Sequence, residues 1–180
     1  MSSVVISGDT SGTVSLTVPA VAGTNTATLP AATGTVMVSG NQPAFSVYLN
    51  GNQSVSNGAF VKVAYNTEEF DTANAFDSTT NYRFTPQVAG YYQLNAAVSV
   101  NGTALTTIIP AIFKNGTQYK WGTQITTSTS TLEGLVSCLV YFNGSTDYAE
   151  IYCYTAATSG NVFGGSSYIT WFNGVLVRTA

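Results

Sequence analysis

Runs of alternating apolar and polar residues, separated by Asn-Gly pairs, occupy most of this chain. Alternation is the pattern of a half-buried strand, and Asn-Gly accepts positive φ at both central positions of a tight hairpin turn. The pairs that stand next to such runs begin at Asn50, Asn57, Asn101, Asn115 and Asn143. No window shows a convincing amphipathic helix. About eight or nine short strands at this spacing predict an all-β fold, an antiparallel two-sheet sandwich or jelly roll.

The runs and their turn signals place the individual strands. The predicted strands span residues 44–49, 59–64, 81–85, 90–101, 106–114, 117–126, 130–142, 148–155 and 167–177. A further pair, Asn173-Gly174, lies inside a strand pattern and predicts a bulge or a close backbone approach. Residues 155–166 are rich in Gly and Ser around Phe163. They predict a mobile surface loop, which Phe163 would anchor to the core.

The first forty residues contain a repeat with a period of 11 residues. Gly-Thr pairs begin at Gly12, Gly23 and Gly34, and Pro19 and Pro30 share the period. Each unit predicts a short alternating strand closed by a Pro-Ala-Gly turn. A strand of about five residues cannot bury its apolar face alone, which favours an oligomeric β stem or an anchor over a low-complexity linker. We therefore predict an anchor or stem over residues 1–42 and a head domain over residues 43–180.

Composition excludes several classes of function. The chain of 180 residues has a net charge of −3 and five Lys plus Arg, which gives no basic surface for nucleic acid. Charged residues are only 7%, against about 25% in ordinary globular domains, and such neutral surfaces suit extracellular adhesins and virion proteins. The chain has no histidine, which removes Ser-His-Asp and Cys-His catalysis and nearly all zinc sites. We expect no enzyme activity, and no membrane insertion because no apolar run has spanning length.

Carboxylates are the remaining candidates for chemistry. The acidic residues in question are Glu68, Glu69, Asp71 and Asp77. Carboxylate oxygens are the ligands that Ca²⁺ prefers, so a calcium site is one hypothesis, and a paired-acid glycosidase site is another. A solvated acidic loop is the interpretation that we favour, and with it we expect no cofactor.

Two cysteines, Cys138 and Cys153, flank a predicted turn at residues 143–146. If that turn closes a hairpin, the two side chains face each other across the strands. We predict two small buried apolar side chains. A cross-strand disulfide is the alternative, which a reducing site of synthesis disfavours.

The chain from about residue 44 to residue 178 resembles the globular-head family of complement component one-q, whose fold is shared with tumour necrosis factor. The family pattern is Phe, five residues, Gly, one residue, Tyr, one residue, Phe. The matching residues here are Phe84, Gly90, Tyr92 and Leu94, with an aliphatic residue in the final position. The acidic loop over residues 64–77 and the ending over residues 168–177, with Asn173 in a Ser position, extend the match. The resemblance implies a homotrimeric jelly roll.

Aromatic side chains give independent support for association. Adjacent pairs such as Tyr91-Tyr92 place rings on both faces of their strands, and the second face must meet solvent or another subunit. The residues predicted at the trimer interface are Tyr92, Tyr152, Tyr154, Trp171 and Phe172. Trp121, beside Lys120, can stack on a sugar face or contact a subunit. The candidates for receptor binding are Tyr119, Trp121 and Phe163.

The N-terminal repeat is similar to segments of bacteriophage tail and virion fibre proteins, in which similar heads occur as fibre tips. Residues 1–12 have no basic region followed by an apolar core, so we expect no secretory signal, synthesis in the host cytoplasm and a final location in the virion. The resemblance implies a trimeric tail or head fibre that attaches to a host surface glycan or protein by multivalent binding. Residues 1–42 would bind other virion proteins. The alternative is a purely structural capsid-decoration or tail-adaptor protein.

Overall fold

The computed structural model describes residues 3–7, 10–17, 21, 23–24, 26 and 42–180. The chain divides into two compact units, Met1–Gly34 and Thr35–Ala180. In the first unit, β1 (Ser3–Ser7) and β2 (Thr13–Thr17) form an antiparallel hairpin in which Ile6 is opposite Val14. Both of these side chains are more than half exposed. The later units of the predicted repeat, and the stretch that precedes the predicted boundary at residue 43, lie largely outside the described residues.

Residues 42–180 form strands, turns and bends without a helix. The strands are β3 (Ala44–Tyr48), β4 (Gln53–Val55), β5 (Ala59–Lys62), β6 (Thr67–Asp71), β7 (Phe76–Asp77), β8 (Arg83–Phe84), β9 (Gly90–Lys114), β10 (Thr117–Trp121), β11 (Ile125–Phe142), β12 (Ala149–Ala156), β13 (Ser159–Val162) and β14 (Trp171–Thr179). The pairs within this unit are antiparallel. Within the described part of the chain, no helix long and apolar enough to cross a bilayer is found. The predicted all-β antiparallel fold is confirmed.

The sandwich has two layers that share the long strand β9. In layer one, the strands lie side by side in the order β6, β3, β14, the first half of β9 and the second half of β11. In layer two, β5 and the second half of β9 flank β12, and β10 pairs with β9. Between the two halves, Ala104 has a φ of 49° and the register of the β11 pairing shifts. This bend carries β9 from one layer into the other.

The Asn-Gly pair at Asn101 does not form the turn that the sequence predicts. Strand β9 continues through it, so the predicted strands 90–101 and 106–114 are two halves of one strand. A Cβ on Gly102 would lie 2.3 Å from the carbonyl oxygen of Ser159, so the glycine permits the close approach of β13. Asn115-Gly116, in contrast, forms the predicted turn between β9 and β10, with φ values of 52° and 75°.

Two further expectations are wrong. Residues 155–166 do not form a free loop, because β13 pairs with both β4 and the bend of β9. Cys138 and Cys153 do not face each other, because Cys138 is opposite Leu94 in layer one and Cys153 is opposite Pro110 in layer two. The turn at residues 143–146 therefore connects the layers, and both thiols are free.

Aromatic rings fill the space between the layers. Phe84 stacks on Phe45 with ring centroids 4.3 Å apart, and its edge contacts the ring of Tyr92 at 5.4 Å. Fully burying a side chain of this size stabilises the fold by about 1.5–3 kcal/mol. A Cβ on Gly174 would lie 2.6 Å from a methyl carbon of Leu94 and 2.7 Å from a ring carbon of Phe45, so this glycine makes room for core side chains and not for the bulge or close backbone approach that the sequence predicts. The spaced motif from Phe84 to Leu94 is thus a core motif.

Candidate binding surfaces

Face one is the outer surface of layer one, formed by outward side chains of β14, the first half of β9 and the second half of β11. Alternation along these strands sends one set of side chains into the core and leaves the other set outside. The outer set contains exposed apolar residues: Tyr91, Leu135, Leu139, Tyr141, Val175 and Val177. Exposed apolar residues that cluster on one sheet face mark an interaction surface.

A row of hydrogen-bonded polar side chains, the polar row, crosses face one. Ser137 Oγ donates to Asn95 Oδ1 at 2.8 Å, and Asn95 Nδ2 donates to Asn173 Oδ1 at 3.1 Å. These residues are directly opposite one another on β11, β9 and β14. Leu135 is two residues before Ser137 on the same strand face and Leu139 is two residues after it. Face one therefore combines exposed aliphatic side chains with a fixed set of donors and acceptors.

The structure separates the residues predicted at a subunit interface. Trp171 lies on face one, half-buried and opposite Ala97. Tyr92 and Phe172 are buried in the core between the layers, so their rings contact side chains of the same chain and neither is retained as an interface candidate. The remaining two, Tyr152 and Tyr154, are on β12 in layer two.

Face two is the outer surface of layer two, and it has an aromatic cluster. The exposed ring of Trp121 lies 5.9 Å from the ring of Phe60, which lies 5.6 Å from Tyr154. Phe113 contacts Phe60 at 5.7 Å and stacks on Tyr152 at 4.0 Å. The cluster therefore brings the predicted receptor residue Trp121 together with two predicted interface residues. Its members come from β5, β9, β10 and β12, and Trp121 is 56% exposed.

An ion pair lies beside the aromatic cluster. Lys62 Nζ is 2.9 Å from Glu150 Oε1, and the two side chains are 32% and 7% exposed. Burial, and then the nearby charge of Glu150, raise the pKa of Tyr152. The Glu150 carboxylate is therefore almost fully covered, and the Lys62 side chain remains partly accessible beside the aromatic cluster.

The other two receptor candidates are not part of this cluster. Tyr119 is on β10 and 42% exposed, and the ammonium of its neighbour Lys120 lies 5.3 Å from its ring centroid. Phe163 follows β13 and is half-buried; its N–H donates to the Ser99 carbonyl at 2.8 Å, and its carbonyl accepts from Thr170 Oγ1 at 2.7 Å. The three predicted receptor residues thus do not form one site.

The four acidic residues accept hydrogen bonds from backbone and side-chain groups of the same chain. Asp71 Oδ2 accepts hydrogen bonds from the N–H groups of Ala75 and Phe76, at 2.6 and 2.7 Å. The N–H groups of Thr80 and Thr79 bond Asp77 and hold its pKa well below the usual range. The two glutamates accept from serine hydroxyls, Glu68 from Ser78 and Glu69 from Ser46. Among the described residues, no group of three or more His, Cys, Asp or Glu side chains could hold a metal ion.

The two thiols are poor nucleophiles in this fold. Burial raises the pKa of Cys153 to about 11 and also raises the pKa of Cys138. Since the thiolate is the reactive form, burial disfavours reaction at both side chains.

No protein-family model and no curated protein sequence matches the chain. Solved structures do match its fold. The globular domain of zebrafish complement 1qA has a TM-score of 0.53 at 18% identity, over 77% of this chain and 99% of that one. Murine APRIL has a TM-score of 0.58 at 9% identity, over 76% and 100% of the two chains. Eiger TNF from S. frugiperda has a TM-score of 0.58 at 12% identity, over 77% and 94%. The likeness confirms the predicted jelly-roll fold of the complement one-q and tumour necrosis factor type.

Proposed function

We propose that this chain is the subunit of a homotrimeric binding protein without enzyme activity, and that its heads associate through face one. The observation that supports the proposal is the set of exposed Leu, Val and Tyr side chains on face one, at Leu135, Leu139 and Val175 among others. Covering the exposed half of such an apolar side chain stabilises an assembly by roughly 1 kcal/mol. The polar row can fix the orientation of the copies, because unpaired polar groups in a buried interface are costly. Three copies are what the resemblance to the complement one-q fold implies.

We propose further that the trimer is a bacteriophage virion appendage, a tail or head fibre made in the host cytoplasm, which attaches the particle to the host surface. The repeat in residues 1–42, similar to segments of virion fibres, supports this origin, and the same residues would bind other virion proteins. The aromatic cluster on face two is the proposed contact with a host surface glycan or protein, since an exposed ring such as Trp121 can stack on an apolar surface. Three weak sites on one trimer raise avidity without new contacts.

The assembly proposal is tested by sedimentation of the full chain and of two matched variants. The wild-type chain should give three times the monomer mass of 18.8 kDa. Leu139→Glu places a charge on face one and should give a folded monomer, whereas Trp121→Glu, an equally drastic change on face two, should leave the trimer intact. A monomeric wild type at micromolar concentration would overturn the trimer. A trimer unaffected by Leu139→Glu would overturn the assignment of face one.

The attachment proposal is tested by binding of purified trimer to host cells and to surface glycans. Trp121→Ala should reduce binding while the trimer mass is unchanged, and Tyr168→Ala, which removes an exposed ring outside the cluster, should not. Absence of binding at micromolar trimer, combined with unstable particles when the protein is missing, would replace attachment with the structural alternative of capsid decoration or a tail adaptor.

A further inference from the structure

A polar cavity of about 410 Å³ opens beside β7 and β8. This volume is within the range of roughly 300–1,000 Å³ that small-molecule sites occupy. Its walls come from three segments of the chain, residues 74–77, residues 81–87 and the turn at Ser145. The amide and hydroxyl side chains in these walls are Asn74, Asn81, Gln87, Thr85 and Ser145.

The walls of the cavity are fixed by the backbone. The Thr85 N–H donates to the Ala75 carbonyl at 2.8 Å and joins two of the wall segments. Asn74 and Tyr82 have φ values of 51° and 48°, and for a tyrosine this conformation costs energy and persists only where the surroundings impose it. The cavity is therefore formed before any ligand arrives.

Two charged residues, Asp77 and Arg83, line the cavity. The Asp77 carboxylate already accepts hydrogen bonds at both of its oxygens and has no acceptor site left for a ligand. Asp77 Oδ1 accepts from the Thr79 N–H, the Thr79 hydroxyl and the Thr80 N–H. Asp77 Oδ2 accepts from the backbone and the side-chain N–H groups of Asn81. A carboxylate has about four lone-pair sites, so these hydrogen bonds saturate it.

The positive residue, Arg83, is directly opposite Asp77 in the β7–β8 pairing, but it makes no ion pair with Asp77 or with any other carboxylate of residues 42–180. The ion pairs found in residues 42–180 are Lys62–Glu150 and Lys114–Asp147. The Arg83 guanidinium lies over the ring of Tyr148, with its central carbon 4.3 Å from the ring centroid. Stacking restrains the guanidinium plane and leaves its N–H edges free for a planar acceptor such as a carboxylate.

We propose that this cavity binds an acidic sugar, whose carboxylate pairs with Arg83 and whose hydroxyls meet the surrounding amide and hydroxyl side chains. A neutral sugar would leave the guanidinium unpaired, and inorganic phosphate would leave most of the amides unused. The cavity is formed by residues outside the aromatic cluster and the polar row. The inference therefore goes beyond the proposed function and is testable whether or not the chain is trimeric.

The test is a titration of the full chain with N-acetylneuraminate and with glucuronate. Binding is monitored by amide chemical shifts and by calorimetry. At least one of these acids should bind saturably and shift amides of residues 74–87 and 145. Methyl galactoside and inorganic phosphate should each bind at least about tenfold more weakly, because neither supplies both the carboxylate and the hydroxyls.

Variants of the two arginines make the test specific. Arg83→Gln should weaken acidic-sugar binding about tenfold or more, and Arg83→Lys should fall between it and the wild type, because a lysine keeps the charge without the bidentate geometry. Arg178→Gln removes an arginine that lies over another tyrosine, Tyr91, and should bind as the wild type does. The proposal is overturned if neither acid binds saturably, if phosphate binds as tightly as the acids, or if folded Arg83→Gln and Arg83→Lys both retain full affinity.

Discussion

Two buried tyrosines differ in one hydrogen bond, and this difference predicts opposite effects of the same substitution. Tyr65 and Tyr92 are both 0% exposed. The Tyr92 hydroxyl donates to the Val88 carbonyl at 2.9 Å, whereas the Tyr65 hydroxyl has no hydrogen-bond partner in the described part of the chain. Substitution by Phe removes one oxygen in each case and leaves the ring in the core.

The expected magnitudes follow from the state of each hydroxyl. A buried polar group without a partner costs about 1–3 kcal/mol, and a hydrogen bond that is made contributes about 0.5–1.5 kcal/mol. Tyr65→Phe should therefore raise the free energy of unfolding by about 1–2 kcal/mol, and Tyr92→Phe should lower it by about 1 kcal/mol. For a domain of this size each kcal/mol corresponds to a shift of about 2–4 °C in Tm.

Urea unfolding of the three proteins at one fixed protein concentration is the measurement, since association adds to apparent stability. The midpoint should rise for Tyr65→Phe and fall for Tyr92→Phe at unchanged slope. Equal destabilisation by both substitutions would contradict the reasoning, because it would mean that the Tyr65 hydroxyl makes a favourable bond.

Tyr65 and Tyr92 also predict how the free energy of unfolding falls at alkaline pH. Burial raises the pKa of Tyr92 to about 12 and raises the pKa of Tyr65 well above its usual value. An unfolded tyrosine ionises near pH 10, so the folded protein binds more protons there and its stability, complete below about pH 10, falls as the pH rises. Each Phe variant should lose less stability than the wild type between about pH 10 and pH 12, and parallel curves would refute the linkage.

Other substitutions test the packing and the charges. Gly174→Ala puts a methyl group 2.6 Å from Leu94 and should cost about 1–3 kcal/mol of unfolding free energy by denaturant titration; a neutral result would show that the strands can separate slightly. The lowered pKa of Asp77 contributes stability that is present above about pH 4 and is lost as the pH falls further. Asp77→Asn should therefore make the free energy of unfolding depend less on pH below about pH 4. An unchanged pH dependence would contradict this. Lys62→Met leaves the Glu150 carboxylate, which is 7% exposed, without its partner, and should lower the free energy of unfolding by about 2–4 kcal/mol. Glu150→Gln should lower it less, because the Lys62 ammonium that loses its partner reaches water. Equal melting temperatures of the two variants would argue against the ion pair.

The sequence predicts the buried core of this fold better than it predicts which side chains form its surfaces. The alternating strands and the motif from Phe84 to Leu94 identify the core, because buried aromatics at period two have few alternatives. In the adjacent pair Tyr91-Tyr92, however, both residues are aromatic, and only the register decides which one faces inward. The same ambiguity placed Phe172 at an interface, whereas the structure turns Phe172 inward and Trp171 outward.

The surfaces depend on strand order, which local patterns do not contain. The aromatic cluster joins Phe60 to Trp121 across strands that are far apart in the chain. Strand β6 reads Thr-Glu-Glu-Phe-Asp, without the alternation that marks a half-buried strand, because it lies at the edge of layer one. The hydrogen bonds that saturate Asp77, and the lack of an ion pair at Arg83 among residues 42–180, likewise depend on contacts that only the folded loop defines.

Strand β9 gives the two layers a common fate in unfolding. Its first half holds β14 and its second half holds β12, so neither layer can detach without breaking the ladder of a strand that the other layer also needs. Subglobal opening between the layers should therefore be rare, and slow-exchanging amides in both halves, such as those of Val98 and Ile112, should report one and the same opening free energy. The head should therefore unfold as a single cooperative unit, because one continuous strand belongs to both layers.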